Sequence, residues 1–115
     1  IHLLKMKVEQ KGHTTTIRNT QGNTAEFYHK LNHEYASFKS QNLIIDLSHD
    51  KVMKMDDIKL FNDLIKTHTE GKKSIVFVTN SVNFNKVPKN IILVPTILEA
   101  HNIIEMEEIE RDLGF

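Results

Sequence analysis

Asn42-Leu43-Ile44-Ile45-Asp46-Leu47 is the stretch that decides the fold. It follows a polar break and carries apolar residues back to back, without the alternation of a strand that has one wet face. Such a run reads as a central strand buried on both sides, the pattern of a parallel sheet covered by helices. Two further runs of the same kind lie downstream, Ser74–Thr79 (S-I-V-F-V-T) and Ile91–Val94. Between the first two, Asp56 to about Thr69 repeats apolar residues at helical spacing (Ile58, Phe61, Leu64/Ile65, His68), with Gly71 as its stop. Upstream, Asn23 and Glu26 fit an N-cap with its reciprocal acid, opening a helix to about Lys39 with Phe27, Leu31, Tyr35 and Phe38 on one face. Before that, Met6–Arg18 reads as a hairpin, with Gly12 at the turn and β-branched Thr14–Ile17 in the second arm. Downstream, Asn80–Asn90 is Asn-rich and polar, with Val82, Phe84 and Val87 dipping into the core. Thr96 and Glu99 then form a capping box that opens a last helix carrying Leu98, Ala100, Ile103, Ile104 and Met106. The predicted order is β-β-α-β-α-β-turn-β-α: an α/β single domain with a mixed sheet of about five strands, an N-terminal hairpin and three to four helices. Residues 1–6 are expected to form a tail, 7–105 the domain, and 106–115 an acidic amphipathic tail.

Composition narrows the function. The 115 residues hold 15 Lys plus Arg, 15 Asp plus Glu, no Cys and no Trp. Zero Cys removes disulfides, thiolate metal sites and cysteine nucleophiles. The longest wholly apolar runs are four residues, far below the roughly 20 of a spanning helix, and no secretory signal pattern is visible. A cytoplasmic location with no membrane partner is expected. Zero net charge argues against general nucleic-acid binding. The average conceals a split: residues 1–98 carry +5 and residues 99–115 carry −5, through Glu99, Glu105, Glu107, Glu108, Glu110 and Asp112. That acidic end reads as a solvated helix face or as a docking strip for a basic partner.

Candidate chemistry is sparse. Glycines at 12, 22, 71 and 114 are too scattered for a dinucleotide fingerprint or a Walker A loop, so no cofactor is expected. Of seven histidines, His29 and His33 stand four apart and could share a metal. They lack the HExxH order, and an exposed polar face is the better reading, so no metal site is expected. His68, at the apolar edge of its helix, reads as a hydrogen-bonded boundary residue. Ser48 and His49, with Asp46 and Asp50, follow the central strand at the end where α/β sheets place ligand sites. Sequence neighbours at a strand end point apart, however, and catalytic triads collect distant residues, so no catalytic residue is assigned. Asp56 and Asp57 are explained as complements to a helix dipole.

Asn42–Phe61 resembles the core of the STAS domain, the fold of anti-sigma-factor antagonists. In that family a buried strand ends in Asp-Leu-Ser, and Asp-Ser-Ser-Gly begins a helix after a short loop. Ile44-Ile45-Asp46-Leu47-Ser48 matches the strand end. Gly71-Lys72-Lys73 before Ile75–Val78, then Ile91–Val94, then Thr96 with Glu99-Ala100 follow in the same order. Read without gaps, the Asp-Ser-Ser-Gly motif falls on Lys54-Met55-Asp56-Asp57, which sets Met55 where the family's phosphorylatable serine stands; a shift of two sets Asp57 or Ile58 there. An acid at that helix start carries part of a phosphate's charge. The ending Ile103–Phe115 resembles that of short bacterial chains named ribonuclease Z, although the HxHxDH run of such nucleases is absent.

The resemblance implies a non-enzymatic regulatory module that binds a protein partner and lacks the serine switch. Its expected partner-binding residues are Ser48, His49, Asp50, Met55, Asp56, Asp57, Leu113 and Phe115, in a monomer or weak dimer. The alternative is an accessory or subunit linked to ribonuclease Z and tRNA 3′-processing. In the ending, Ile103–Ile109 is expected to pack back on the sheet and Leu113–Phe115 to extend for docking.

Overall fold

A computed structural model describes residues 6–82 and 84–114. The hairpin strands β1 (Met6–Lys11) and β2 (Thr14–Asn19) pair antiparallel, with Gly12 at φ 60° in the turn. Helix α1 (Thr24–Glu34) follows, then β3 (Asn42–Asp46), α2 (Met55–Lys59), α3 (Asn62–Glu70), β4 (Ile75–Val78), β5 (Leu93–Val94) and α4 (Ile97–Asp112). The five strands lie in chain order across one mixed sheet, parallel from β2 to β5. The α/β single domain and five-strand sheet expected from sequence are therefore present.

Every parallel step from β2 to β5 advances in the same direction across the sheet. Right-handed crossovers then all fall on one face. Phe27 and Leu31 of α1, Ile58 of α2, and Leu64 and Ile65 of α3 accordingly share one cluster with Ile17, Leu43, Ile45 and Phe77, and Val82 and Val87 pack against it. Phe61 stands at its centre, edge-on to both Tyr28 and Phe77 with ring centroids 5.0 Å apart in each case. The other face is left to α4, whose Ala100 and Ile104 cover Ile44, Val76, Val78 and Val94. All five residues of β3 are buried, which is why its sequence shows no alternation.

Several boundaries differ from the sequence reading. The helix expected to reach Lys39 ends at Glu34 and tightens into a 3-10 turn, Tyr35–Ser37. The helix expected from Asp56 to Thr69 breaks at Leu60-Phe61 into α2 and α3, each kept on the core by Ile58, Phe61 and Leu64. Gly71 is the C-cap at φ −77°, whereas the left-handed residue is Lys72 at φ 64°, whose N–H returns to the Thr69 carbonyl. The glycine therefore stands one position before the conformation that would need it. The last strand shrinks to Leu93–Val94. Met6, read both as the last residue of the tail and as the first of the hairpin, opens β1 and is buried. Residues 1–5 and 115, and the Phe84 side chain, lie outside the described residues.

The N-cap half of the expected motif forms at Asn23, its side chain accepting from the Glu26 N–H at 2.9 Å. Thr96 likewise accepts from the Glu99 N–H at 3.1 Å and donates to the Glu99 carboxylate at 3.0 Å. The helix beyond it runs without interruption to Asp112, so no break in structure marks residue 106. Ile104 is buried and Ile103 half-buried, but Met106 and Ile109 face outward, contrary to the expectation that this stretch packs back throughout. Among the described residues no helix is long and apolar enough to cross a membrane.

Candidate functional site

The turn after β3 lies at the carboxyl ends of the parallel strands. Its carboxylates, apart from exposed Asp56, hold the chain itself. Asp46 points to the α4 side of the sheet, opposite Arg18 in the β2–β3 register. Its Oδ2 accepts from Arg18 Nε at 2.9 Å, while its Oδ1 accepts from the Ser48 N–H at 3.0 Å and the Ser48 hydroxyl at 2.6 Å. Two residues on, buried Asp50 reaches across to the start of α1. Its Oδ2 accepts from both the N–H and the hydroxyl of Thr24 at 2.9 Å, and its Oδ1 from the Val52 N–H at 3.2 Å. Ser81, after β4, donates to the Asp50 carbonyl at 3.3 Å. Asp57 closes the loop by accepting from the Lys54 N–H at 3.0 Å.

Burial pushes the Asp50 carboxyl upward, but the Thr24 and Val52 hydrogen bonds, together with the charge of His49, bring it below the ordinary aspartate value. A carboxylate in this position stays ionised and keeps its acceptors filled. Around these inward acids the remaining side chains point out. His49, Lys51, Val52, Lys54 and Asp56 are exposed, Val52 to 82%, while Met53 is buried beneath them as an anchor. Half-buried Met55 borders a cleft of about 380 Å³ shared with Lys54, Lys59, Ser81, Val82 and Lys86.

The structure thus brings together Ser48, His49, Asp50, Met55, Asp56 and Asp57 of the residues singled out from sequence. Ser48 gives its hydroxyl to Asp46, and exposed His49 stands outside that hydrogen-bond set. Leu113 belongs elsewhere. Helix α4 runs back along the sheet, and Arg111 donates to Ser74 Oγ at 3.0 Å and to Asn42 Oδ1 at 3.3 Å, at the amino ends of β4 and β3. Leu113 follows at that opposite end, and Phe115 lies outside the described residues. His29 and His33 are exposed on α1, and among the described residues no three His, Asp or Glu side chains are grouped to hold a metal ion.

His68 proves to be a core residue and not a boundary one. It is fully buried on α3, with Nδ1 2.7 Å from the Tyr35 hydroxyl and no partner for Nε2 among the described residues. Burial lowers its pKa, assisted by the nearby Lys73 charge and partly opposed by the backbone of Gln41 and Ser74.

Sequence reasoning missed Arg18 and Thr24, the partners of Asp46 and Asp50. Arg18 was legible in principle: a base in a strand beside a buried acid-bearing strand has a short list of counterions. Thr24 carried no comparable signal, because its pairing depends on where α1 begins in space. The chain matches no family model and no curated protein.

Proposed function

We propose that the chain is a non-enzymatic regulatory module that binds a protein partner through the turn between β3 and α2. The observation that carries this reading is that Asp46, Asp50 and Asp57 bond the chain itself. Each holds backbone or side-chain donors of the turn and its neighbours, so Val52, Met55 and the surrounding lysines are presented on a held platform. An exposed apolar residue on a turn already ordered loses little further entropy when it is covered, which favours binding. The surface is apolar and basic, so its partner is a protein carrying an acidic and apolar segment.

The order of elements supports kinship with anti-sigma-factor antagonists: a hairpin, then parallel strands, with a buried strand ending in Asp-Leu-Ser before a helix. Here the helix start carries Met55 in place of a hydroxyl, and Asp57 caps the backbone where a phosphate mimic would have to point outward. The proposed module is therefore constitutive, without a serine switch.

The test is affinity capture from native extract with the immobilised chain, beside a Lys51→Glu/Val52→Asp variant. One partner retained by the native chain and lost by the variant supports the reading. Equal retention by both, or turnover of any candidate substrate that disappears in Ser48→Ala, counts against it.

A further inference from the structure

Helix α4 is apolar on two opposite sides. Ile97, Ala100, Ile103 and Ile104 face the sheet, and Ala100 and Ile104 are buried there. On the far side Leu98, Met106, Ile109 and Leu113 are exposed to 71%, 63%, 58% and 65%. At 100° per residue these four fall within about 80° of one another, along about 22 Å of helix. Exposed Asn102 stands among them, between Leu98 and Met106, yet four large apolar residues on one solvent-facing side exceed the single scattered ones that any surface carries.

The borders of this stripe identify what would cover it. Glu105 and Asp112 flank one side, and Glu99 and Glu110 the other, by the same helical spacing. The one base of the segment, Arg111, is turned to the sheet, where it bonds Ser74 and Asn42. We infer that the outer face of α4 docks an amphipathic helix of a partner protein, whose apolar face covers Leu98, Met106, Ile109 and Leu113 and whose Lys or Arg residues line both edges. A second copy of this chain is the poorer fit: both borders are acidic, so pairing α4 with itself in either orientation sets acid against acid. A membrane surface is also the poorer fit, because interfacial helices carry basic polar faces toward anionic lipid. The surface is separate from the β3–α2 turn and does not depend on that turn's function.

The test uses the full chain and a fluorescent synthetic helical peptide with leucines on one face and lysines along both borders. The peptide binds the native chain, and added salt weakens the complex. Met106→Ser/Ile109→Ser, which leaves every charge in place, weakens binding at least about tenfold through lost apolar contact. Glu105→Lys/Asp112→Lys, which leaves the stripe in place, weakens it comparably, and a peptide with glutamates for lysines does not bind. All four side chains are exposed, so both variants keep the native unfolding temperature. No binding, or equal binding by the serine variant, overturns the proposal. So does a dimer of the native chain that the serine variant dissociates, or binding to phosphatidylserine vesicles that this variant abolishes.

Discussion

The two ends of the parallel sheet are held by charges of opposite sign. At the carboxyl end, acids turn inward: Asp46 onto Arg18 and Ser48, Asp50 onto Thr24 and Val52, Asp57 onto Lys54. The side chains left outside include Lys51, Lys54, Lys59 and Lys86. At the amino end a base turns inward. Arg111 donates to Ser74 and Asn42, Asn42 in turn accepts from the Ser74 N–H at 2.9 Å and donates to Glu108 at 2.9 Å, and Glu110 and Asp112 stay outside. Outside these bonds the turn exposes more lysines than acids, Asp56 being the exposed acid, and the outer face of α4 is bordered by acids. A chain of zero net charge is thereby given a basic turn and an acidic helix face, which suit partners of opposite character.

The sharpest way to break this contrast is to remove the buried acid. Asp50→Ala leaves the Thr24 N–H and hydroxyl and the Val52 N–H without their acceptor, and hydrogen bonds to charged groups are worth more than neutral ones. The expected loss is about 3 kcal/mol, read as a lower midpoint in urea unfolding. A change below about 1 kcal/mol would show that water replaces the carboxylate and that the turn is not held as described.

Removing the neutral hub at the other end costs less. Asn42→Ala strips the Ser74 N–H and Arg111 of one acceptor, for an expected loss of about 1–2 kcal/mol. Arg111 is half-buried and retains Ser74 and water. A loss larger than that of Asp50→Ala would reverse the ranking of the two ends.

Acid separates the ends by a different measure. The Asp50 pKa is lowered on folding, so its contribution is complete above the ordinary aspartate value of 3.8 and is lost as pH falls through the folded value. The His68 pKa is lowered as well. Below its ordinary 6.5 the unfolded chain takes up a proton that the folded chain refuses, so stability declines as pH falls from there toward the folded value. A pH series of unfolding midpoints should therefore fall in two steps. Asp50→Asn flattens the lower step and Asn42→Ala leaves both in place; His68→Gln removes the upper one. An unchanged profile in Asp50→Asn would disconnect that carboxylate from acid stability.

The smallest effect belongs to the outward residues. Val52→Asp is expected to shift stability by less than about 0.5 kcal/mol, because the side chain it removes is already in water. A larger loss would mean that the turn depends on Val52 for its shape, and the residue would cease to be a candidate for binding.

Most of the architecture was legible beforehand because burial imposes its own spelling. A strand covered on two faces cannot carry polar residues in alternation, so Leu43–Ile45 and Ile75–Val78 announced themselves, and the caps at Asn23 and Thr96 involve side chains within one turn of their partners. The break between α2 and α3 escaped because Ile58, Phe61 and Leu64 keep helical spacing across it. The full burial of His68 escaped for a related reason: its place in the core depends on Tyr35, thirty-three residues earlier. The reading of α4 failed at Met106 and Ile109, since an apolar residue at helical spacing shows that a face exists but not which neighbour it has.

The linear order of residues determined the class of fold, most of the strand and helix order, and the presence of an acidic ending, because these follow from local periodicity and from side chains interacting with adjacent backbone. Tertiary structure alone decided that Asp50 ties the β3 turn to α1 and that, among the described residues, one side of α4 is left uncovered. Those outcomes depend on crossovers stacking on a single sheet face, which brings distant segments together at one end and leaves α4 as the last layer, with solvent beyond it.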